Sequence, residues 1–496
     1  MSFGPPPSPF TQSTRAADER ARRRRVRVWA SFAVALVVVA VGVGWVLRGV
    51  WTKDGSEPSR YDNASAQQAP DEVRATVERR PAGGAGRLVS AIGDSKLKPA
   101  EMRTTPGTWA TDEVLAKGVA GAIQGFKIDA DDELVWQRQL SGDICGWTQS
   151  VTVGGSTAVL FKGADHRCTE LMFFNVNTGE RIWQKSVPWK KDAFDLYPNV
   201  SLARGVVAVA YGTGSAGYDM TSGKKLWARA GTSACREAGF KGGRALLLRL
   251  DCQTRDGGTQ YRVQRISLET GRPVWTYKTN EHLNFVYLVS AEPVVLAVSA
   301  GEANLSDLIT LDEEGKYQNT IRFSGDHYEA KCESGLSSSA EDALMFSAVD
   351  QCSRIAVSDD QAFITTGEVT EGVAHETNSI VSFDLKTGHT GVKFDAGKDQ
   401  ELFPLRMSGD QLLALKVGTD TFAPTQLVGL DPKTGKESSY FFFSPFHEAS
   451  ILVDPDTSDI VVEHGRIFFG SRTVQGGGTK SQPAYTWRAF GVGRAQ

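Results

Sequence analysis

A ten-residue unit that recurs along the chain does most to limit what it can fold into. Its clearest copy is YDMTSGKKLW (Tyr218 to Trp227): a strand-like run, a polar turn closed by Gly223, and an aliphatic–Trp pair. It returns as FNVNTGERIW (Phe174 to Trp183) and ISLETGRPVW (Ile266 to Trp275), with degenerate copies at KIDADDELVW (Lys127 to Trp136) and around Gly315, Gly388 and Gly435. The turn positions Asp132, Gly179, Gly223, Gly271, Gly315, Gly388 and Gly435 are 47, 44, 48, 44, 73 and 47 residues apart. A period in the forties with several short strands per unit predicts an all-β fold, a β-propeller of four-stranded antiparallel blades. Seven marks plus a closing blade after Gly435 make eight blades, with seven the runner-up. That last blade is short of its outermost strand, which residues upstream of Trp109 are placed to supply.

The repetition follows from packing. A blade is a small sheet with two faces, and only neighbouring blades can cover them. The turn glycine supplies a positive φ for a tight hairpin. Four residues later comes Trp136, Trp183, Trp227 or Trp275, and burying a ring of that size removes roughly 150–250 Å² from water. Their fixed place in the repeat suits packing between blades better than a single stacking surface for a substrate.

The ends of the chain speak to location. Residues 1–27 are rich in Pro, Ser and Arg and carry a balance of +5, which leaves the rest of the chain at −8. A mildly acidic body gives no electrostatic footprint for nucleic acid. Val28 to Leu47 then runs for 20 residues without a charge, the length that crosses a ~30 Å hydrocarbon core. Arginines before this run orient the N-terminus to the cytoplasm, and Trp29 and Trp45 sit near its ends. The run is too long for a signal-peptide core and lacks a small-x-small site, so an uncleaved signal-anchor in the cytoplasmic membrane is expected. Residues 48–104 read as a flexible extracytoplasmic tether, and 105–496 as the propeller.

Six cysteines fall as Cys145/Cys168, Cys235/Cys252 and Cys332/Cys352, each couple bracketing an apolar strand, and pairing in sequence order is expected. Such bonds persist only in an oxidising compartment, in agreement with an extracytoplasmic domain. No Cys-x-x-Cys occurs, which removes zinc-ribbon, thioredoxin-type and haem c readings.

Other patterns carry less. The acidic clusters Asp129, Asp131, Asp132, Glu133 and Asp454, Asp456, Asp459 lack the glycine and terminal glutamate of an EF-hand loop, and the first reads as a solvated hairpin. Gly212 to Gly217 satisfies G-x-G-x-x-G, but a strand and turn of the repeat follow where a dinucleotide site needs a helix. The histidines are scattered, and no catalytic, cofactor or metal residue can be named from the sequence.

The units YDMTSGKKLW, FNVNTGERIW and FDLKTG closely resemble the PQQ-like β-propeller repeat. That repeat is found in quinoprotein dehydrogenases, in the barrel-assembly propeller lipoprotein of bacterial outer membranes, and in membrane-anchored extracytoplasmic propellers of high-GC Gram-positive bacteria. The resemblance implies either an enzyme or a scaffold. Quinoprotein enzymes hold PQQ and Ca²⁺ on the propeller axis, and no residue of this chain maps onto their ligands, so no cofactor is expected. The expected function is a non-catalytic binding or scaffold module for an envelope protein or other extracytoplasmic ligand. A divergent PQQ- and Ca²⁺-dependent oxidoreductase is the alternative, and a sensory ectodomain with a cytoplasmic partner the second.

Overall fold

The computed structural model describes residues 68–79, 83–94, 97–130, 132–188, 198–232, 234–300, 305–323, 328–332, 349–367, 369–370, 376–420, 423–445, 447–477 and 486–494. The expected membrane helix at Val28 to Leu47 lies outside them, as does the basic tail. Among the described residues no helix is long and apolar enough to cross a membrane.

These residues form eight blades of four antiparallel strands arranged as a β-propeller, seven of them four-stranded sheets and the seventh blade's sheet widened to six strands. The first blade is Thr108–Ala110, Val114–Val119, Ala122–Lys127 and Leu134–Gln139 from the inside outwards. The innermost strands of blades two to eight are Ile144–Trp147, Asn199–Ala203, Cys235–Lys241, Phe285–Ala291, Ile355–Val357, Gln400–Ser408 and Ser458–Glu463. The 73-residue interval between Gly315 and Gly388 holds one blade, the sixth, with two inserted hairpins. One is Lys331–Cys332 with Cys352–Ser353; the other, Val369–Thr370 with Glu376–Thr377, joins the inner edge of blade seven.

Eight apolar clusters account for the ring, one in each seam between consecutive blades. The seam between blades eight and one closes it, joining Val89, Ile92, Phe468 and Ala489 to Ala110, Leu115 and Phe126. The strand Gln411–Gly418 buries both faces, Leu412 and Ala414 toward blade six and Leu413 and Leu415 toward blade eight, which explains its unbroken apolar sequence.

The outermost strand of blade eight is Gly86–Asp94, paired antiparallel with Thr486–Arg494. Part of the segment expected as tether is therefore structural, and the ring begins well before residue 105. Both chain ends share one sheet, which leaves the final blade no unpaired partner strand.

Residues 68–79 form an extended strap over one face. Near its start, Val153 N donates to Glu72 O (2.9 Å), Gly205 N donates to Asp71 O (3.1 Å), and Glu72 pairs with Arg204 (2.8 Å). Near its end, Glu78 accepts from Arg406 (2.6 Å) and from the Gly465 amide (2.5 Å), and its own amide donates to Ser408 Oγ (2.8 Å). The strap thus ties turns of blades two and three to those of blades seven and eight. All these turns follow the ends of innermost strands, so they share a face.

Candidate functional site

The repeat residues lie in the seams, where their geometry is regular. Trp136, Trp183, Trp227 and Trp275 donate their Nε1–H to Val176, Met220, Leu268 and Glu313 carbonyls of the next blade, at 3.1, 2.8, 2.8 and 2.9 Å. Each ring lies on the next blade's turn glycine. A Cβ on Gly179, Gly223, Gly271 or Gly315 would come within 2.3–2.6 Å of it. These glycines have φ between 65° and 77°, so both the backbone and the ring exclude a side chain. Where the repeat has decayed, Asn319 meets the turn at Gly388, and Val392 meets the turn at Gly435.

The cysteines pair as Cys145–Cys168, Cys235–Cys252 and Cys332–Cys352. The last two couples sit directly opposite one another in their ladders.

Of the acidic clusters, the first lies in the expected exposed hairpin turn, with Asp131 outside the described residues, but two of its carboxylates are engaged. Asp129 is held by Arg87 (2.6 Å) and Arg466 (3.0 Å), and Asp132 accepts from the Ala91 amide (2.6 Å). Two carboxylates of blade one therefore clasp the closing strand of blade eight. Asp132, with φ of 59°, takes the left-handed turn position that glycine fills elsewhere.

The second cluster reaches the axis. A cavity of about 170 Å³ is lined from five innermost strands or the residues leading into them, including Thr108, Trp147, Ile355, Leu405 and Ser458. Thr108 and Ser458 stand at the starts of their strands and Trp147 at the end of its own, so the cavity runs along the axis. Into it come Arg354, Asp459 and Arg472. Arg354 grips Asp456 with two nitrogens, at 3.1 and 2.8 Å, and also pairs with Glu329. Lys331 reaches the same Asp456 at 2.6 Å. Arg472 pairs with Asp459 at 2.9 Å, and Thr108 Oγ1 donates to that carboxylate at 3.3 Å.

Burial opposes charge on Asp456, but Lys331 and Arg354 outweigh it and hold the carboxyl below its usual range. Behind Thr108 lies Lys117, fully buried, its Nζ donating to Thr105 O, Gly107 O (3.2 Å) and Thr108 Oγ1 (2.9 Å). Burial pushes this ammonium down to about 7; Asp459 resists, while Arg472 and Arg488 add to the fall.

This donor set does not fit a calcium ion. Both oxygens of Asp456 are engaged by cations, and Asp459 is engaged by Arg472 and Thr108. Among the described residues no group of three or more His, Cys, Asp or Glu is placed to hold a metal. The arrangement is a neutralised polar wall suited to hydrogen bonding. Sequence reasoning reached Asp456 and Asp459 but not Arg354, which lies 102 residues before its partner and belongs to no local motif. Gly214 to Gly217 forms part of the strand Gly214–Asp219, in the repeat's ordinary place.

A family model described as outer membrane protein assembly factor BamB matches residues 97–241 and 167–335. The repeats are of the PQQ-like propeller type. Among curated proteins, none matches the chain. Among solved structures, BamB from Moraxella catarrhalis is similar at 13% identity and a TM-score of 0.39, over 82% of this chain and 100% of that one. The quinohemoprotein alcohol dehydrogenase ADHIIG from Pseudomonas putida HK5 is similar at 10% identity and 0.49, over 89% and 83%. That from Comamonas testosteroni is similar at 8% identity and 0.46, over 88% and 83%.

Proposed function

Taking the chain as a propeller built of PQQ-like repeats, we propose that it is a non-catalytic, membrane-anchored extracytoplasmic binding module for an envelope protein. The observation that carries this reading is the axial wall, where Asp456 and Asp459 are each bound by cationic side chains. A general base or a calcium ligand needs a carboxylate with lone pairs to spare, and a recognition surface does not.

Three disulfides favour an oxidising compartment, and the apolar run Val28 to Leu47 supplies the anchor. The strap occupies one face, leaving the opposite face for a partner. Ile451, in the 3₁₀ turn His447–Val453 between blades seven and eight, is 71% exposed there.

A photo-crosslinker at Ile451, in the full chain in cells, is expected to trap one envelope protein, while the same group at Tyr317 on an outer strand traps none. Equal patterns at the two positions, or none, would sink the reading. Purified protein mixed with PQQ and Ca²⁺ is expected to gain no stoichiometric chromophore; gaining one, with electron-acceptor reduction, would establish an oxidoreductase instead.

A further inference from the structure

The chain itself fills part of the propeller axis. Residues 349–351 lead into blade six, yet their contacts lie on three other blades. Leu288 of blade five donates its amide to Val349 O (2.7 Å). Asn199 of blade three donates to the Asp350 carboxylate (3.3 Å), and Lys241 of blade four to the Asp350 carbonyl (3.3 Å). All three partners stand on innermost strands, so the segment crosses the axis. Cys352, Ser353 and Arg354, which follow it, line the axial cavity.

The receiving wall is shaped to the segment. Val349 is 2% exposed, packed among apolar residues of blades four and five. It sits where Gly239 has no side chain; a Cβ there would lie 2.5 Å from Val349 Cγ2. The strand is bulged at the same point, between Glu237 and Gly239. The Leu288 amide faces the axis from an innermost strand, whose inner edge has no neighbour in its sheet. An open strand edge of this kind captures extended backbone. The wall therefore reads a backbone carbonyl, a small aliphatic side chain and a carboxylate, which are the features of an extended peptide.

The segment is held less firmly than its burial suggests. Two of its three hydrogen bonds are long. Gln351 is buried, and its Oε1 has no partner among the described residues. A buried acceptor without a donor gives back part of what the Val349 contact contributes. Segments with few satisfied contacts open at lower cost than the elements around them. The Cys332–Cys352 bond holds the base, so an opened segment stays attached.

We propose that residues 349–351 are an autoinhibitory plug, seated in a peptide-binding site on the inner wall of blades three to five. The partner displaces it with an extended segment carrying a small aliphatic residue followed by an acidic one. This rests on the reading of the propeller as a binding module and names what it recognises. The plug and the turn bearing Ile451 both lead from an outermost strand to the next innermost one, so the displacing segment enters from the face opposite the strap.

Amide exchange on the detergent-purified full chain tests the plug without any substitution. The Leu288 amide should exchange at least ten times faster than that of Leu296, its ladder neighbour, which the blade holds on both sides. A common rate for the two would overturn the proposal, since the plug would then leave only when the blade unfolds. Val349→Gly empties the recess at Gly239. By calorimetry it should bind a capped Ala-Val-Asp-Gln peptide, copying residues 348–351, at least ten times more tightly than the wild-type chain does. No binding, equal affinity in the two chains, or equal affinity for a peptide with Asp in place of Val would also overturn it. If the variant does not fold, the wild-type exchange rates decide alone. The crosslinking experiment is independent: a trapped partner without peptide binding removes only this proposal, and peptide binding without a trapped partner removes only the envelope-protein reading.

Discussion

At single residues the fold is set by close approach as much as by polarity. Gly271 has φ of 67°, and a Cβ there would lie 2.6 Å from the Trp227 ring. Gly271→Ala therefore pays for a left-handed backbone and for overpacking, each about 1–3 kcal/mol, and should lower the urea midpoint with little change in slope. Lys117 provides a pH test. Its unfolded value is 10.5 and its folded value about 7, so between those limits the unfolded chain holds a proton the folded chain does not. Stability from this residue is therefore least below pH 7 and rises as pH increases toward 10, by up to about 1.4 kcal/mol per unit. Lys117→Met should flatten that rise in chemical denaturation between pH 7 and 9; an unchanged slope would contradict the assignment.

At the scale of elements, the strap is the piece that sequence composition concealed. Residues 71–80 are short, charged and free of aromatic side chains, and nothing in their order announces that Glu78 is buried against Arg406 and Gly465. Burial pushes the Glu78 carboxyl up, against the pull of Arg406. The folded state then holds this proton more tightly than the unfolded chain, so acidification through that range favours the folded strap on this account alone. Removing the carboxylate by Glu78→Ala leaves the Arg406 guanidinium its carbonyl partners Thr76, Met407 and Val462 but takes away the charged one, a loss on the order of 1–3 kcal/mol if the strap stays docked. The expected outcome is local release: faster amide exchange and proteolysis within 68–79 at neutral pH, with the seams of blades three to six still protected.

For the whole molecule, the seven turn marks carried most of the architecture, because every blade must present the same two faces to its neighbours. The closing strand was less legible. Gly86–Asp94 has the small and mixed residues of an outermost strand, and its partner lies some 400 residues away in sequence. The axial site was legible only in part, since its charges come from blades six and eight and converge only when the ring shuts. Ala91→Pro, which deletes the amide that Asp132 accepts from, should unseat the closing strand. Loss of one charge-assisted bond costs ~1.5–3 kcal/mol, and the m-value should fall if the eighth seam opens before the rest. Reduction of the three disulfides should cost on the order of 3 kcal/mol per bond, measured as a shift in guanidinium midpoint.

The strap has a mechanical consequence. A pull on the chain from before residue 68 first meets the turns of blades two and three, then the Glu78–Arg406 clamp, and only afterwards the strand Gly86–Asp94. Tension is thereby shared among four blades before it reaches the one strand whose departure would unzip the circle, as a sailor's line is belayed around several pins ahead of its knot.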